Sequence, residues 1–178
     1  MKYALIGCGR ISINHLRAAR ANGFKIAALC DIVPGKAEAL LARAEIPADA
    51  GIKTYTDYKQ MLAAEQPELV SIATESGKHA EIALYCIEHG IHTIIEKPMA
   101  MSLSDADRII AAAEARGVTV SVCQQCRFNK AVQAMRQALE AGRFGTLSHC
   151  SVNVYWNREK SYYEHDAWRG TWRRTAAA

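Results

Sequence analysis

Lys97 stands between Glu96 and Pro98, directly after the apolar run Ile91-His-Thr-Ile-Ile95. A lysine at the end of a buried strand can hydrogen-bond a substrate hydroxyl, and burial would lower its pKa toward a useful value. Glu96 beside it can hold a ribose hydroxyl or the lysine itself, and the bond to Pro98 is a candidate cis peptide. Taken alone, the tripeptide also reads as a solvated turn. A second chemical string opens the chain. The apolar run Tyr3 to Ile6 ends in Gly7-Cys8-Gly9-Arg10-Ile11-Ser12, after which Ile11, His15, Leu16, Ala18 and Ala19 recur on one side. Strand, glycine turn and helix, in that order, form the context in which such a string binds a dinucleotide. Gly7 allows the tight turn, Gly9 lets the backbone approach a pyrophosphate, and small Ser12 lets helix and strand pack closely. Arg10 and Ile11 stand where the helix amides face the phosphates. Asp31 follows about 20 residues past the turn, where an acid hydrogen-bonds the adenosine ribose and repels a 2′-phosphate. Ile32 and Val33 add no arginine clamp, so the expected cofactor is NAD rather than NADP, with Lys36 the one neighbour able to soften that preference.

These residues need a scaffold, and the periodicity supplies one. Phe24 to Cys30, Ile52 to Tyr55, Leu69 to Ala73, Ile91 to Ile95 and Val118 to Cys123 read as strands that join the first. Between them lie helices expected over Pro34 to Arg43, with the proline in the first turn, and over Tyr58 to Ala64, capped by Thr56-Asp57. A helix over Lys78 to His89 stops at Gly90. Another opens at Ser104-Asp-Ala-Asp107 with capping-box spacing and closes at Gly117. The alternation predicts an α/β fold, a doubly wound parallel Rossmann sheet with helices on both faces. Gly7, Asp31, Ala73-Thr74, Glu96-Lys97 and Gln124 to Arg127 all fall at carboxyl ends of strands, where such sheets bind ligands.

After Asn129 the rhythm changes. Ala131 to Ala141 has helical spacing, and Thr146 to Trp156 alternates like a half-buried strand. The segment Tyr162-Tyr-Glu-His-Asp-Ala-Trp-Arg-Gly-Thr-Trp172 is dense in aromatics and arginine, without a period. The expected organisation is a cofactor domain over 1–123 and, over 124–178, the incomplete start of a truncated α+β domain for substrate binding and oligomerisation. The strand at 146–156 would leave an open edge that invites self-association.

Composition bounds the classes. The chain has 178 residues, half of them apolar and 22% charged, as expected of a globular protein. No apolar run approaches the roughly 18–20 residues of a membrane span, and the chain enters a strand without a secretory leader. A net charge of +4 is too small to argue for nucleic acid. The expectations are therefore no membrane, no nucleic acid and a cytoplasmic location. Of the six cysteines, Cys123 and Cys126 have redox or zinc spacing, but no second pair accompanies them, so reduced thiols and no metal are expected.

The ordered set Gly7-x-Gly9, Ala73-Thr74…His79-x-Glu81, Glu96-Lys97-Pro98 and Gln125-x-Arg127-Phe-Asn129 resembles the glucose-fructose oxidoreductase / inositol dehydrogenase / MocA family. The resemblance covers the chain up to its tail. It implies an NAD(P)-dependent oxidoreductase of sugars or cyclitols, with a Rossmann domain followed by an α+β domain whose open sheet builds homo-oligomers. By that resemblance Lys97 is the catalytic lysine that positions and polarises the substrate hydroxyl. Glu96 contacts the nicotinamide ribose, Thr74 lines the nicotinamide site and Arg127 lies near its end, while Ala73, His79 and Gln125 complete the cofactor set.

The tail, Tyr162-Tyr163…Trp168-Arg169-Gly-Thr-Trp172, looks like the branch that oxidises the 3-hydroxyl of UDP-N-acetyl-glucosaminuronic acid. A uronate and a diphosphate favour bidentate arginine, for which Arg158 and Arg169 are candidates, and sugar and base faces favour stacking on aromatics. Asn153, Arg158, Tyr163, Trp168, Arg169 and Thr171, with Lys97, make up the implied substrate set; aromatics filling an interdomain core are the alternative. The family's catalytic histidine belongs to a motif that this chain does not contain. His165 and Asp166 lie outside that motif, and His15, His79, His89, His92 and His149 read as helix, turn or strand residues rather than as the proton acceptor. The chain therefore also reads as a catalytically silent NAD-binding module, or as part of a dehydrogenase of another sugar or cyclitol. The ending, Arg173-Arg-Thr-Ala-Ala-Ala178 in place of Asp and glycines, reads as a frameshift or truncation; an artificial end or alanines standing for unidentified side chains would look the same.

Overall fold

The computed structural model describes residues 1–47 and 49–164. Residues 1–123 form one compact unit, and the described residues from 124 onward belong to a second, smaller one. In the first unit β1 (Lys2–Ile6), β2 (Lys25–Cys30), β3 (Lys53–Tyr55), β4 (Leu69–Ile72), β5 (His92–Ile95) and β6 (Val120–Val122) make one sheet. Every pairing is parallel, and the order is β3-β2-β1-β4-β5-β6. The order reverses beside β1, so a crevice opens there at the carboxyl ends of β1 and β4.

The strands are apolar on both faces because both faces are covered. Ala4 and Ile6 of β1, with Ala28, Cys30, Val70, Ile72 and Ile95, pack on α3 (Tyr58–Glu65), α4 (His79–Glu88) and α5 (Leu103–Arg116) through Met61, Leu62, Ile82, Ala83, Cys86, Ile87 and Ile109. The alternate residues Tyr3, Leu5, Leu29 and Leu69 pack on α1 (Ser12–Ala21) and α2 (Lys36–Arg43) through Leu16, Ala19, Ala37 and Leu40. A period of two in each strand thus meets a stripe in each helix.

The helix ends differ in detail from the sequence expectation. Asp57 caps α3 by accepting from the Lys59 amide at 2.8 Å, as expected. The cap of α5 is Ser102, not Ser104: its hydroxyl accepts from the Asp105 amide at 3.1 Å and donates to the Asp105 carboxylate at 2.8 Å. The Ser-x-x-Asp spacing occurs twice here, and the pair two residues earlier is the one used. Pro34 precedes α2 rather than entering it, because Gly35 between them is left-handed, with φ of 83°.

In the second unit a short 3-10 turn (Gln125–Phe128) leads into α6 (Lys130–Glu140), and a five-residue helix, α7 (Lys160–Glu164), follows later. The strand expected over Thr146 to Trp156 is not formed. These residues pair with no strand among the described residues and are all exposed. An alternating pattern makes a strand only when a neighbour completes its ladder. The sheet edge through which self-association was expected is accordingly absent from the described residues. No helix among them is long and apolar enough to cross a membrane.

Glu65 ties α3 to the sheet. Its buried carboxylate accepts from Lys53 Nζ at 2.8 Å and from the Tyr55 hydroxyl at 2.7 Å, and Lys2 of β1 lies 3.4 Å away. The Lys53 and Tyr55 hydrogen bonds, acting against burial, hold its pKa down at about 2, below the ordinary 4.5. A depressed folded-state value adds stability above the unfolded pKa, and that stability is lost as pH falls through the folded one. Glu65→Gln is therefore expected to cost about 1–3 kcal/mol at pH 7, with the deficit shrinking below the ordinary carboxylate value and vanishing near the folded one. Denaturant melts of both proteins across that acid range check this; a deficit constant with pH would contradict it.

Candidate functional site

Past the last residue of β1, β2, β4, β5 and β6, the next backbone amide continues the ladder to its neighbour. Gly7 donates to Cys30 at 2.8 Å, Asp31 to Tyr55 at 3.1 Å, Ala73 to Ile6 at 2.7 Å, Glu96 to Ile72 at 2.9 Å and Cys123 to Ile95 at 2.8 Å. Five residues far apart in sequence thereby stand in one row at the carboxyl rim. Four of them are expected site residues; the fifth, Cys123, occupies the place expected for the segment Gln124 to Arg127.

The glycine turn is fitted to that row. Gly7 has φ of 95°, and a Cβ there would stand 2.6 Å from the backbone carbonyl of Ala73 and 2.7 Å from the Thr74 amide. Gly9 is the reverse case: a Cβ there would meet nothing within 4 Å. Its bareness serves something that approaches from outside rather than the fold. Helix α1 then begins with Ile11 as its N-cap, without a side-chain cap and without an acid in its first turn. Its leading amides are left for an anion. Ser12 is fully buried, and its hydroxyl donates to the Gly9 carbonyl. Arg10 is exposed beside the turn, and Ile11 is half-buried.

Asp31 is built into the same turn. One carboxylate oxygen accepts from the Cys8 amide and the other from the Val33 amide, both at 2.9 Å. Each oxygen keeps lone pairs for further donors, so a pair of ribose hydroxyls can be received without breaking these bonds. Ile32 next to it is 84% exposed, an apolar surface beside the carboxylate. Bare Gly9, the uncapped start of α1 and the oriented Asp31 fit a dinucleotide.

At the other side of the crevice Glu96 is buried and engaged. Oε1 faces His15 Nε2 of α1 at 3.1 Å, and Oε2 accepts from the Lys97 amide at 3.2 Å. Burial opposes its ionisation, but the His15 hydrogen bond and charge, with the Lys97 amide and charge, outweigh burial and hold its pKa below the ordinary range. The Cys123 thiol lies against the same carboxylate and is pushed up to about 11, by burial first and by Glu96 second. The Lys97–Pro98 bond is cis. Lys97 itself is exposed, so the burial expected for its side chain is not present.

His79 is 1% exposed, with Nδ1 at 2.7 Å from the Pro98 carbonyl and Nε2 at 3.2 Å from the Thr74 carbonyl. The ring lies between the loop after β4 and the loop after β5, and a nitrogen that carries a proton donates to the carbonyl it faces. Thr74 is half-buried, its hydroxyl donating to the Glu75 carbonyl at 3.3 Å.

Gln125 and Arg127 lie in the 3-10 turn of the second unit, and both are exposed. In that unit Arg158 stacks over the rings of Trp156 at 4.8 Å and Tyr162 at 5.0 Å, while Asn153 and Tyr163 are exposed. Trp168, Arg169 and Thr171 lie outside the described residues, as do His165 and Asp166.

The sequence reading missed three participants. Arg43, at the end of α2, donates to the Gly9 carbonyl at 3.0 Å, which brings a cation to the glycine turn from 34 positions away. His15 reads as a helix-face residue, and Cys123 as half of a cysteine pair, yet both converge on Glu96. Only the strand order brings these residues together, and no local pattern encodes it.

Comparison with known proteins agrees with this geometry. Residues 1–124 match the model of the family described as "Oxidoreductase family, NAD-binding Rossmann fold", GFO_IDH_MocA. The D-apiose dehydrogenase of Paraburkholderia graminis is 40% identical over 82% of this chain and 38% of its own length. The inositol 2-dehydrogenase of Salmonella typhimurium is 30% identical over 82% of this chain and 43% of its own. The chain thus spans about two fifths of the curated relatives it matches. The crystal structure of the WlbA dehydrogenase from Bordetella pertussis, in complex with NADH and UDP-GlcNAcA, superimposes with a TM-score of 0.89 at 34% identity, over 98% of this chain and 52% of that one. With its parallel sheet, its glycine turn and its rim residues in place, the chain belongs to the glucose-fructose oxidoreductase / inositol dehydrogenase / MocA family of oxidoreductases with an NAD-binding Rossmann fold.

Proposed function

We propose that this chain is the cofactor-binding part, with the first portion of the substrate-binding part, of an NAD-dependent dehydrogenase that oxidises a ring hydroxyl of a nucleotide-linked uronic acid. The reading is carried by the likeness to the WlbA dehydrogenase, which takes in 98% of this chain. On this reading the glycine turn and α1 hold the pyrophosphate, Asp31 holds the adenosine ribose, and Ala73 and Thr74 line the nicotinamide pocket. Glu96, kept ionised by His15, accepts from the nicotinamide ribose. When NAD is bound, its nicotinamide supplies the hydride acceptor. The exposed ammonium of Lys97 donates to the substrate hydroxyl oxygen and stabilises negative charge as the hydroxyl proton passes to the histidine base that the family resemblance implies. Its carrier, the loop of Pro98, is fixed by His79. Gln125 and Arg127 are assigned to the cofactor set by the family resemblance alone. Asn153, Arg158, Tyr163, Trp168, Arg169 and Thr171 serve the sugar, its carboxylate and the diphosphate, and the second part mediates homo-oligomer formation. The 40% identity to a D-apiose dehydrogenase favours a second reading, in which the substrate is a simple sugar.

Calorimetry of the chain with NADH, followed by each candidate substrate, separates the two. UDP-GlcNAcA binding more tightly than D-apiose supports the first reading, the reverse supports the second, and failure to bind NADH overturns both. Given Asp31, NADH is expected to bind about 10–100-fold more tightly than NADPH, and Asp31→Ala should erase most of that ratio.

The two glycines separate fold from ligand. Gly7→Ala is expected to destabilise the protein by about 2–4 kcal/mol, through overlap with Ala73 and a left-handed backbone. Gly9→Ala should leave the melting temperature within a few degrees and weaken NADH binding at least about tenfold. Thermal melts and fluorescence titration check the pair; equal effects of the two on stability would remove the argument from Gly9. In a form extended to the length of the relatives, Lys97→Ala should keep NADH affinity and lower kcat by about a hundredfold or more. Unchanged turnover would displace Lys97 from its role.

A further inference from the structure

His15, Glu96 and Cys123 converge as a donor set of which the proposed dehydrogenase chemistry uses the carboxylate and the histidine that keeps it ionised, but not the thiol. One imidazole nitrogen, one carboxylate oxygen and one sulfur, from α1, the end of β5 and the end of β6, all lie within 4.8 Å of one another. A tetrahedral ion with bonds of about 2.0–2.3 Å sets its ligands roughly 3.3–3.7 Å apart, so small side-chain rotations close the set. The set is also preformed. The His15 and Glu96 side chains are only 8% and 10% exposed and already face each other at 3.1 Å, while half-buried Cys123 leaves a way in. Among the described residues this is the one such group of three.

We propose that His15, Glu96 and Cys123 form a binding site for a thiophilic divalent cation of the zinc type, beneath the carboxyl rim of the sheet. The mixture of imidazole, carboxylate and sulfur selects zinc, cadmium or cobalt over magnesium and calcium, which take oxygen ligands. Three protein ligands leave a fourth position for water, the open pattern rather than the closed structural one. On binding, the Cys123 S–H bond breaks, a sulfur–metal bond forms and the proton passes to solvent. His15 gives up the Nε2 proton that it directs at Glu96 and binds through the Nε2 lone pair with a proton on Nδ1, and Glu96 binds as the anion it already is. The occupied carboxylate is withdrawn from the cofactor end of the crevice, so metal and NADH exclude one another. That exclusion rests on the proposed role of Glu96; the metal site itself does not.

The test is a titration of the cofactor-free chain with cobalt(II), under a phosphine reductant, followed by absorbance. The expected result is a saturable one-to-one spectrum with a sulfur-to-cobalt charge-transfer band and the strong visible bands of a tetrahedral ion. Cys123→Ser should abolish the charge-transfer band. His15→Gln, which keeps the thiol, should weaken binding at least about tenfold. Cys126→Ser and Cys150→Ser, at exposed thiols, should leave the spectrum unchanged, and circular dichroism of each variant confirms its fold. A band that survives Cys123→Ser, a band lost in Cys126→Ser or Cys150→Ser, or no saturable band at all overturns the site. Where the band forms as expected but NADH fails to displace cobalt, the site stands and the cofactor role of Glu96 falls.

Discussion

The functional end of this molecule depends on a backbone rule. In a parallel sheet the ladder does not stop at the last strand residue, and the amide that follows still finds the carbonyl of its neighbour. Here that rule sets Gly7, Asp31, Ala73, Glu96 and Cys123 in one row. They therefore share a level at the rim, although up to 116 positions separate them, from 7 to 123. The two cores on either face hold the sheet rigid beneath them. Everything chemical is then decided by which side chain each strand presents as it leaves the sheet.

What those side chains present is a divided crevice. On the β1–β2 side the groups suit phosphate and ribose: bare backbone, helix amides and a carboxylate already oriented by two amides. On the β4–β5 side a buried anion is kept charged by a histidine from the opposite element, and an exposed cation stands next to it in sequence. Removing a single partner of a buried charged pair costs more than the pair contributes. His15 and Glu96 must for that reason be considered together, one setting the state of the other.

Much of this was legible in the sequence. Strand, glycine turn and helix were readable as one unit, and Asp31 as the acid at the end of β2, because those signals are local and rest on short-range sterics. Convergence across the sheet was not legible. Arg43 at Gly9, His15 at Glu96 and His79 between two carbonyls come from strand order and helix packing, which no spacing in the chain records. The misplacement of the α5 cap shows the same boundary at small scale, since two overlapping Ser-x-x-Asp frames differ only in where the preceding loop ends. The segment 146–156 shows it at large scale. Alternation describes a surface that suits a strand, whereas a strand exists only with a partner.

One consequence of Asp31 concerns the heat of binding. Its hydrogen bond from the Cys8 amide ties the glycine turn to the end of β2 before any ligand arrives, and the one from the Val33 amide fixes the carboxylate that makes it. A receptor that orders itself around a dinucleotide buries its own apolar surface in the process, and the heat capacity of association records that folding. A turn already set by its own carboxylate adds no such contribution. The heat-capacity change on NAD association then measures only the surfaces that meet, and the entropy of ordering the loop belongs to the folding of the protein rather than to the cofactor.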